Sequence, residues 1–589
     1  MTSSTALPDT HGQDLYARDR SLRHLLDLYL PDPLRAHLEP HLARLGAMVT
    51  TRLDDLAHTA DRNPPTLHQR DRQGRDRPWI EKHPAYQTLE QVAFGEYGLA
   101  AMSHRAGVLD WPSPLPPAAK YALTYLFVQA EFGLCCPLSM TDALTRTLRK
   151  FGDPALVERA LPALVSTDMD ILAQGAMFIT EQGAGSDVGA GTVIARPQED
   201  GGWRLYGDKW FCSNPDAAWA MVLARPENGD TGTRGLGLFL MPRMVATADG
   251  AEEHNAYRVI RLKEKLGTRS MASGEITLEG AHAYLVGDLG QGFKQMAEMI
   301  NVSRLSNGVR AAGLMRRAVH EALCVAENRV AFRRRLADMP LMRRQLLKLL
   351  VPTEQALSMA LFTADIMDRA DQGDGDAARL MRALTPLIKA RACRDARKVT
   401  ADSMEVRGGC GYIEEWVNAR LVRDAHLGSI WEGTTNIVAL DVLRGARKVD
   451  SHRALAGALR QKLAAEDSVP PAFRAMLEDR LTQAVDLVQR AVEAGDAGER
   501  HARTAASALY HAASAAVLAL EGAALAARHG DARRLVMARL VLDHRLAARD
   551  PLQLSDTDDV AEETAWRLLM ADAPCPPEEA AAFCARPVT

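Results

Sequence analysis

A carboxylate in a setting suited to proton transfer occurs at Glu432, in Ile430-Trp-Glu-Gly-Thr-Thr-Asn-Ile437, between bulky Trp431 and Gly433 and just ahead of the amphipathic run Ile437 to Leu443. That position is a loop-to-helix junction, from which an acid can project into a cleft as a general base. Thr434 or Thr435 can cap the following helix, which leaves its first backbone N–H groups and positive dipole end facing the occupant of the cleft. Such an end suits a phosphate-bearing cofactor. On its own, an acid at a helix start reads more simply as a solvated residue, so the weight of the motif depends on the company it keeps.

Four other segments carry chemistry. Phe178-Ile-Thr-Glu-Gln-Gly-Ala-Gly-Ser-Asp-Val188 puts glycines and Ser186 where backbone could approach a ligand closely, and Gly207-Asp-Lys-Trp-Phe-Cys-Ser-Asn214 places an aromatic and a hydroxyl on a strand end. Arg329 and Phe332 lie three apart at a helix end beside Arg333-Arg334-Arg335, and Gly408-Gly-Cys-Gly411 opens a turn that only backbone can line. Taken singly, these are a hairpin turn, a solvated basic face and a helix C-cap. The cysteines show no C-x-x-C pair and no zinc spacing with histidine, so no metal site is expected.

The elements that must position these residues follow from periodicity. Apolar residues at helical spacing run through Leu22 to Leu30, Pro33 to Leu53, Leu89 to Met102, Ala118 to Phe132, Met140 to Leu148 and Ala155 to Leu164, with a surface loop at Arg70 to Arg77. At Met177 the period shifts towards two. Thr192 to Ala195, Trp203 to Tyr206, Ala218 to Ala224, Leu236 to Met241 and Gly274 to Leu278 then read as short strands between turn residues. Helices return at Phe293 to Arg329, Leu341 to Arg369, Ala377 to Val406 and after Glu432, which predicts a four-helix bundle. Beyond Asp450 the chain is alanine-rich, with Ser468 to Pro471 as a linker and helical runs at Ala472 to Ala494 and Ala502 to Ala548.

The predicted fold is therefore mainly α with an inserted β domain. Its parts are a poorly ordered N-terminus (1–20), an N-terminal helical domain (21–175), a β-barrel-like domain (176–285), a helical bundle (286–449) and a separate C-terminal helical extension (450–589). A chain of 589 residues is long enough for several cores, and its net charge of −4 offers no general attraction to nucleic acid or anionic lipid. The first nineteen residues lack an apolar signal-peptide core, and no run of about 18 uncharged apolar residues was found. Eight cysteines suit a reducing compartment, so a cytoplasmic protein without a membrane span is expected.

The order of helices, β insert and bundle, together with these motifs, resembles the acyl-CoA dehydrogenase flavoprotein superfamily over residues 20–447. Thr180 to Asp187 matches its Thr-Glu-x-Gly-Ala-Gly-Ser-Asp segment, Lys209 to Asn214 its Lys-x-Trp-Ile-Thr-Asn segment, and Glu432 to Thr434 its Glu-Gly-Thr segment. Arg329 to Phe332 and Gly408 to Gly411 match its Arg-x-x-Phe and Gly-Gly-x-Gly motifs. Asn63-Pro-Pro65, Cys136 to Thr141, Lys265 to Ser270, Met404 to Val406 and the extension resemble the AidB-like, alkylation-response branch.

The resemblance implies FAD as cofactor. Phe178, Ile179, Thr180, Gly185, Ser186, Phe211, Cys212 and Ser213 would line the isoalloxazine and phosphates, with Thr434 and Asn436 on the same cofactor. Arg329, Phe332, Gly408 and Gly409 would hold the pyrophosphate and adenosine of a neighbouring subunit's FAD, which implies a homodimer or homotetramer. Glu432 would remove the α-proton of an acyl-CoA thioester as the β-hydride leaves for the flavin, with Arg304 and Gly433 on the substrate side and burial raising the Glu432 pKa. An electron-transfer flavoprotein would accept the electrons. The chain departs from the family at Ser303, where one branch carries its base, at Arg333, where glycine is usual, and at Trp431, which replaces a tyrosine.

Two functions fit these residues: an FAD-dependent acyl-CoA dehydrogenase, or a DNA-associated protective flavoprotein with little dehydrogenase activity. Charge separates them. From Ser451 onward sixteen Lys and Arg stand against twenty Asp and Glu, a poor phosphate-binding surface. The stretch Arg528 to Arg549 is locally basic, but its apolar spacing also suits an amphipathic helix with a solvated face. The enzyme is the favoured reading, with nucleic acid as the alternative partner.

Overall fold

Alternation of apolar and polar residues folds residues 175–286 into one seven-stranded sheet, formed by β1 (Gly175–Phe178), β2 (Ile194–Pro197), β3 (Trp203–Ser213), β4 (Trp219–Pro226), β5 (Gly237–Pro242), β6 (Tyr257–Leu262) and β7 (Ser273–Val286). The computed structural model describes residues 7–199, 201–247, 249–548, 552 and 556–586. Strand β4 pairs with β5, β5 with β7, β7 with β3, β3 with β2, and β2 again with β4, so five strands close a ring. β1 adds to β4 in parallel and β6 to β7 in antiparallel. β1 and β6 remain as the outer strands, and the interior is filled by Phe178, Val193, Leu205, Cys212, Val222, Phe239, Ile276 and their neighbours.

β3 and β7 are longer than their periodicity suggested. β7 can serve two partners because register shifts at Gly274/Ile276 and Glu279/Ala281 bend it. β6 was not anticipated, although its alternating burial matches its sequence.

This sheet belongs to a compact unit made of residues 51–116 and 130–306. Arg70 to Arg77, expected as a surface loop, is instead part of a hairpin: Thr66–Arg70 pairs with Asp76–Glu81. The turn is built by Asp71, whose carboxylate accepts from the N–H groups of Gln73 (2.8 Å) and Arg75 (3.1 Å), and by Gly74 at φ 81°. The helix expected over Leu89 to Met102 also breaks early. An α-helix at Pro84–Glu90 passes into one π-helical stretch, Gln91–Glu96, and ends at Gly98, whose Cα lies so near Val108 that a Cβ would come within 2.6 Å of it.

The second unit joins residues 1–50, 117–129 and 307–589. Its bundle consists of α1 (Gly292–Asn328, whose residues from 307 onward belong to it), α2 (Pro340–Asp371), α3 (Gly375–Arg407), α4 (Val417–Gly428) and α5 (Thr435–Val449). The helix Pro117–Phe127 packs on α1 at Gly313, where a Cβ would meet Val128 at 2.2 Å. The compact units thus cut across the expected boundary of an N-terminal domain at 21–175.

Nor is the start of the chain loose from residue 7 onward. Thr10 Oγ1 donates to buried Glu321 (2.5 Å), Arg407 donates to the Pro8 carbonyl (2.7 Å), and the Gly12 N–H bonds the Thr50 carbonyl. Residues 1–6 lie outside the described residues.

The C-terminal helices, Ser451–Ala464, Pro471–Glu493, α6 (Ala502–His529), α7 (Arg533–Val541), Asp556–Met570 and Pro577–Cys584, make up the C-terminal helical part of the chain, in the same compact unit as the bundle. The long run expected to Ala548 breaks at Gly530, at φ 65°. A buried charge network forms the seam. Arg534 on α7 bonds Glu354 of α2 and Glu521 of α6, each at 2.9 Å. Arg316 of α1 bonds Glu354 at 2.5 Å and Asp19 at 3.2 Å, and Tyr29 Oη donates to Glu521 at 2.8 Å.

Gly495–His529 contains an 18-residue window long and apolar enough to cross a membrane by length and composition, and 83% of that window is buried within the fold.

Candidate active site

In the β-containing unit, the two glycine- and aromatic-bearing segments are brought together by one buried ion pair. Lys209 Nζ on β3 bonds Glu181 at 2.8 Å and the Ile179 carbonyl at 3.1 Å, and the Trp210 N–H bonds the Thr180 carbonyl at 2.8 Å. Burial would raise the Glu181 carboxyl, but Lys209 and the Thr192 N–H and hydroxyl hold it below the usual carboxylate range. The glycine loop is therefore anchored at its base while its tip is open: Gly183 and Gly185 have no atoms where a Cβ would point, and Ser186 is exposed.

Strand alternation then divides the predicted flavin residues. Phe211 is 55% exposed and Ser213 half-buried, whereas Phe178 and Cys212 belong to the barrel interior. The side chains of Phe178 and Cys212 cannot line a ligand, so only their backbone is available to one. Burial also pushes the Cys212 thiol far above its ordinary range.

In the helical unit the Arg329 and Gly408 motifs meet. Arg329 Nη1 donates to the Arg407 carbonyl at 3.1 Å and would stand 3.6 Å from a Cβ on Gly408. Arg407 is itself fixed by Asn418 (2.8 Å) and Glu321, so it anchors the turn that leaves Gly408 and Gly409 exposed. Phe332 and Arg333 form the tip of a two-residue hairpin, Val330–Ala331 pairing with Arg334–Arg335, with φ of 52° and 63°. Such a turn requires left-handed backbone at both central residues, and Phe332 is left 91% exposed.

The departure at Arg333 thus keeps the turn at the expense of strain, and among the described residues its guanidinium makes no hydrogen bond. Arg333→Gly is expected to raise stability by up to about 1 kcal/mol, measured as a higher urea midpoint. A lower midpoint would show that the arginine side chain makes a contact the protein needs.

Around Glu432 the backbone is strained as well. Glu432 lies at φ 55° and Gly433 at 96°, and Thr434 is the N-cap of α5 without a side-chain capping bond, so that helix start keeps free donors. Glu432 and Gly433 are half-buried, while Thr434 and Asn436 are exposed.

Two buried cations secure the loop. Lys389 Nζ bonds the Gly433 carbonyl, and the Arg310 guanidinium stacks 4.7 Å from the Trp431 ring. Sequence reasoning missed both, as it missed the Glu181–Lys209 pair. A lone lysine in the apolar run Leu384 to Ala392 was the one available signal, since a buried lysine needs a partner. Ser303 and Arg304 are both largely buried on α1.

Family models match residues 290–446 (acyl-CoA dehydrogenase, C-terminal domain), 176–281 (acyl-CoA dehydrogenase, middle domain) and 6–171 (adaptive response protein AidB N-terminal domain). The chain is 34% identical to the putative acyl-CoA dehydrogenase AidB of Escherichia coli, over 69% of this chain and 74% of that protein. It belongs to the acyl-CoA dehydrogenase family.

Within this family the likeness extends to solved structures. The chain is 31% identical to acyl-CoA dehydrogenase family member 11 of Caenorhabditis elegans, over 72% of this chain and 69% of that protein. The solved structure of Caenorhabditis elegans ACDH-11 in complex with C11-CoA superposes with a TM-score of 0.83 at 27% identity, covering 97% of each chain. Bd2924 in its apo form gives 0.78 at 29% identity, covering 88% of this chain and all of that one. Members of the acyl-CoA dehydrogenase family are FAD-dependent oxidoreductases.

In the basic stretch considered for DNA, Arg533, Arg534 and Arg539 are turned to other residues rather than offered as a phosphate-binding face. Arg534 is 4% and Arg539 1% exposed, the first paired with Glu354 and Glu521 and the second with Asp543 at 2.9 Å. Arg533 is turned to Asp531 and the carbonyl of Ala573. Arg549 lies outside the described residues. Helical spacing alone cannot tell which way such a face turns, and here the acids that receive Arg534 come from other helices.

Proposed function

We propose that this protein oxidises an acyl-CoA thioester to its α,β-unsaturated product, with Glu432 as the base. The observation that carries this reading is the pair of left-handed residues at Glu432 and Gly433. A non-glycine residue in that conformation costs about 1–2 kcal/mol, and such strain persists where the surroundings hold a side chain in a required direction. Here Lys389 and the Arg310–Trp431 stack hold the loop.

The residues present fit FAD: an open glycine loop with Ser186, exposed Phe211 and half-buried Ser213 in one unit, and exposed Arg329, Phe332, Gly408 and Gly409 in the other. When bound, FAD supplies the acceptor for the β-hydrogen and its electron pair. Glu432 takes the α-proton, and its own backbone N–H donates to the thioester carbonyl oxygen, where negative charge develops. Gly433 lets the substrate approach without a side chain, and Arg304 serves the substrate side.

Because Arg329, Phe332, Gly408 and Gly409 are exposed, we assign them to the FAD of a neighbouring subunit in a homodimer or homotetramer. Electrons then pass to an electron-transfer flavoprotein. The eight free thiols suit a cytoplasmic enzyme.

The test is anaerobic titration of the purified protein with acyl-CoAs of graded chain length. The protein is expected to be yellow, with about one FAD per chain, and to bleach with at least one thioester. Arg329→Ala removes a charge-assisted phosphate contact and is expected to release FAD more readily on gel filtration. A colourless protein that cannot be reconstituted would reject the cofactor, and a flavin that no acyl-CoA reduces would reject the reaction.

A further inference from the structure

A second candidate ligand site lies within the helical unit, independent of the dehydrogenase reading. A cavity of about 540 Å³ opens among α3, the first turn of α5, the first half of α6 and the segment following α7. Arg391, Arg394, Arg503, Arg545, His511 and His544 line it, half of the remaining lining residues are alanine, and no acidic residue borders it.

The charge in this cavity is not balanced from within. Asp395 is the carboxylate that answers the cluster, bonding Arg391 and standing 3.6 Å from Arg545. Among the described residues Arg394 and Arg503 have neither an ion-pair nor a hydrogen-bond partner. Burial, together with the like charges of Arg503, Arg391 and Arg397, lowers the pKa of Arg394, which marks the guanidiniums as mutually repelling.

A buried donor adds to the cluster. His511 is 5% exposed, and its Nδ1 faces Gln355 Nε2 at 3.1 Å. An amide nitrogen donates, so Nδ1 accepts and the ring proton sits on Nε2, for which no partner occurs among the described residues. Burial keeps this imidazole neutral, with its pKa pushed down to about 3, so the tautomer persists at neutral pH.

We infer that this cavity binds an organic polyphosphate, held by the Arg394 and Arg503 guanidiniums with His511 Nε2–H as an additional donor. Guanidinium forks match phosphate oxygens bidentately. Several unbalanced cations call for an anion of more than one charge. The volume is that of a pocket for a small organic molecule, which lies in the range of about 300–1,000 Å³, and the alanines of its wall leave room for a flat body beside the phosphates.

The test uses the FAD-loaded protein at low ionic strength, titrated calorimetrically with ADP, ATP and inorganic pyrophosphate. ADP or ATP is expected to bind more tightly than pyrophosphate. The double variant Arg394→Gln/Arg503→Gln is expected to weaken that binding at least about tenfold by removing two charge-assisted contacts, while FAD content and acyl-CoA bleaching stay unchanged. Neither side chain has a partner to lose, so the variant should fold, which circular dichroism will check.

Four results would overturn the proposal. They are absence of binding by all three anions, equal binding by the double variant, loss of FAD or of acyl-CoA affinity in that variant, and binding of a duplex oligonucleotide with no binding of the small polyphosphates. The third would assign the cavity to the cofactor or substrate, and the fourth to a nucleic-acid surface.

Discussion

Glu432→Gln is expected to slow flavin reduction by bound acyl-CoA at least about a hundredfold, the usual scale of a general-base contribution, while FAD and acyl-CoA still bind. Glutamine keeps the size of the side chain and can occupy the same left-handed site, but it cannot accept the α-proton. The measurement is anaerobic stopped-flow reduction with the thioester that bleaches the parent protein best. Reduction at the parental rate would move the base elsewhere. The alternative family position offers no substitute here, because it is Ser303, a hydroxyl 4% exposed on α1. A loss of FAD or substrate affinity instead of rate would make Glu432 a structural acid of the loop that Lys389 and Trp431 hold.

Arg534→Met is expected to destabilise the protein by about 3–5 kcal/mol, because it leaves Glu354 and Glu521 buried and short of a counter-charge. The network spans α1, α2, α6, α7 and the helix Arg20–Tyr29 with its N-cap Asp19, through Arg316, Asp19 and Tyr29. The loss would appear as a lower urea midpoint. Adding Glu521→Gln to Arg534→Met should recover part of it, since the double variant buries one fewer unpaired charge.

The same network sets a pH dependence. Burial by itself would raise the Glu354 carboxyl, but Arg316 and Arg534 hold it below its ordinary 4.5. Its folded value is depressed, so its contribution is fully present above pH 4.5 and is lost as pH falls through the folded value. Removing Arg534 should move the acid unfolding midpoint upward, and an unchanged midpoint would place the acid-labile group elsewhere. It follows that reduced DNA binding by an Arg534 variant would report unfolding rather than a lost phosphate contact.

What could be read from residue order alone was chemistry that is local in the chain. The glycine loop at Thr180 to Asp187, the strand end at Lys209 to Asn214, the Arg329 and Gly408 motifs and Glu432 before α5 each declare themselves within a few residues, because turns, caps and strand ends are short-range backbone events. The barrel and the bundle were legible for a similar reason: periods of two and of 3.6 report which face a strand or helix buries.

Only the tertiary structure decided which charged residues are structural. Lys209 and Glu181 lie 28 residues apart and Arg534 and Glu354 lie 180 apart, and no local pattern pairs them. A row of arginines at helical spacing reads as a solvated face until the acids that meet it are known: Arg534 is received by Glu354 and Glu521 of other helices, and Arg539 by Asp543 four residues on. For the same reason the cavity beside Arg394 and Arg503 could not be foreseen: it exists because helices from distant parts of the chain bring like charges together without enough carboxylates to neutralise them.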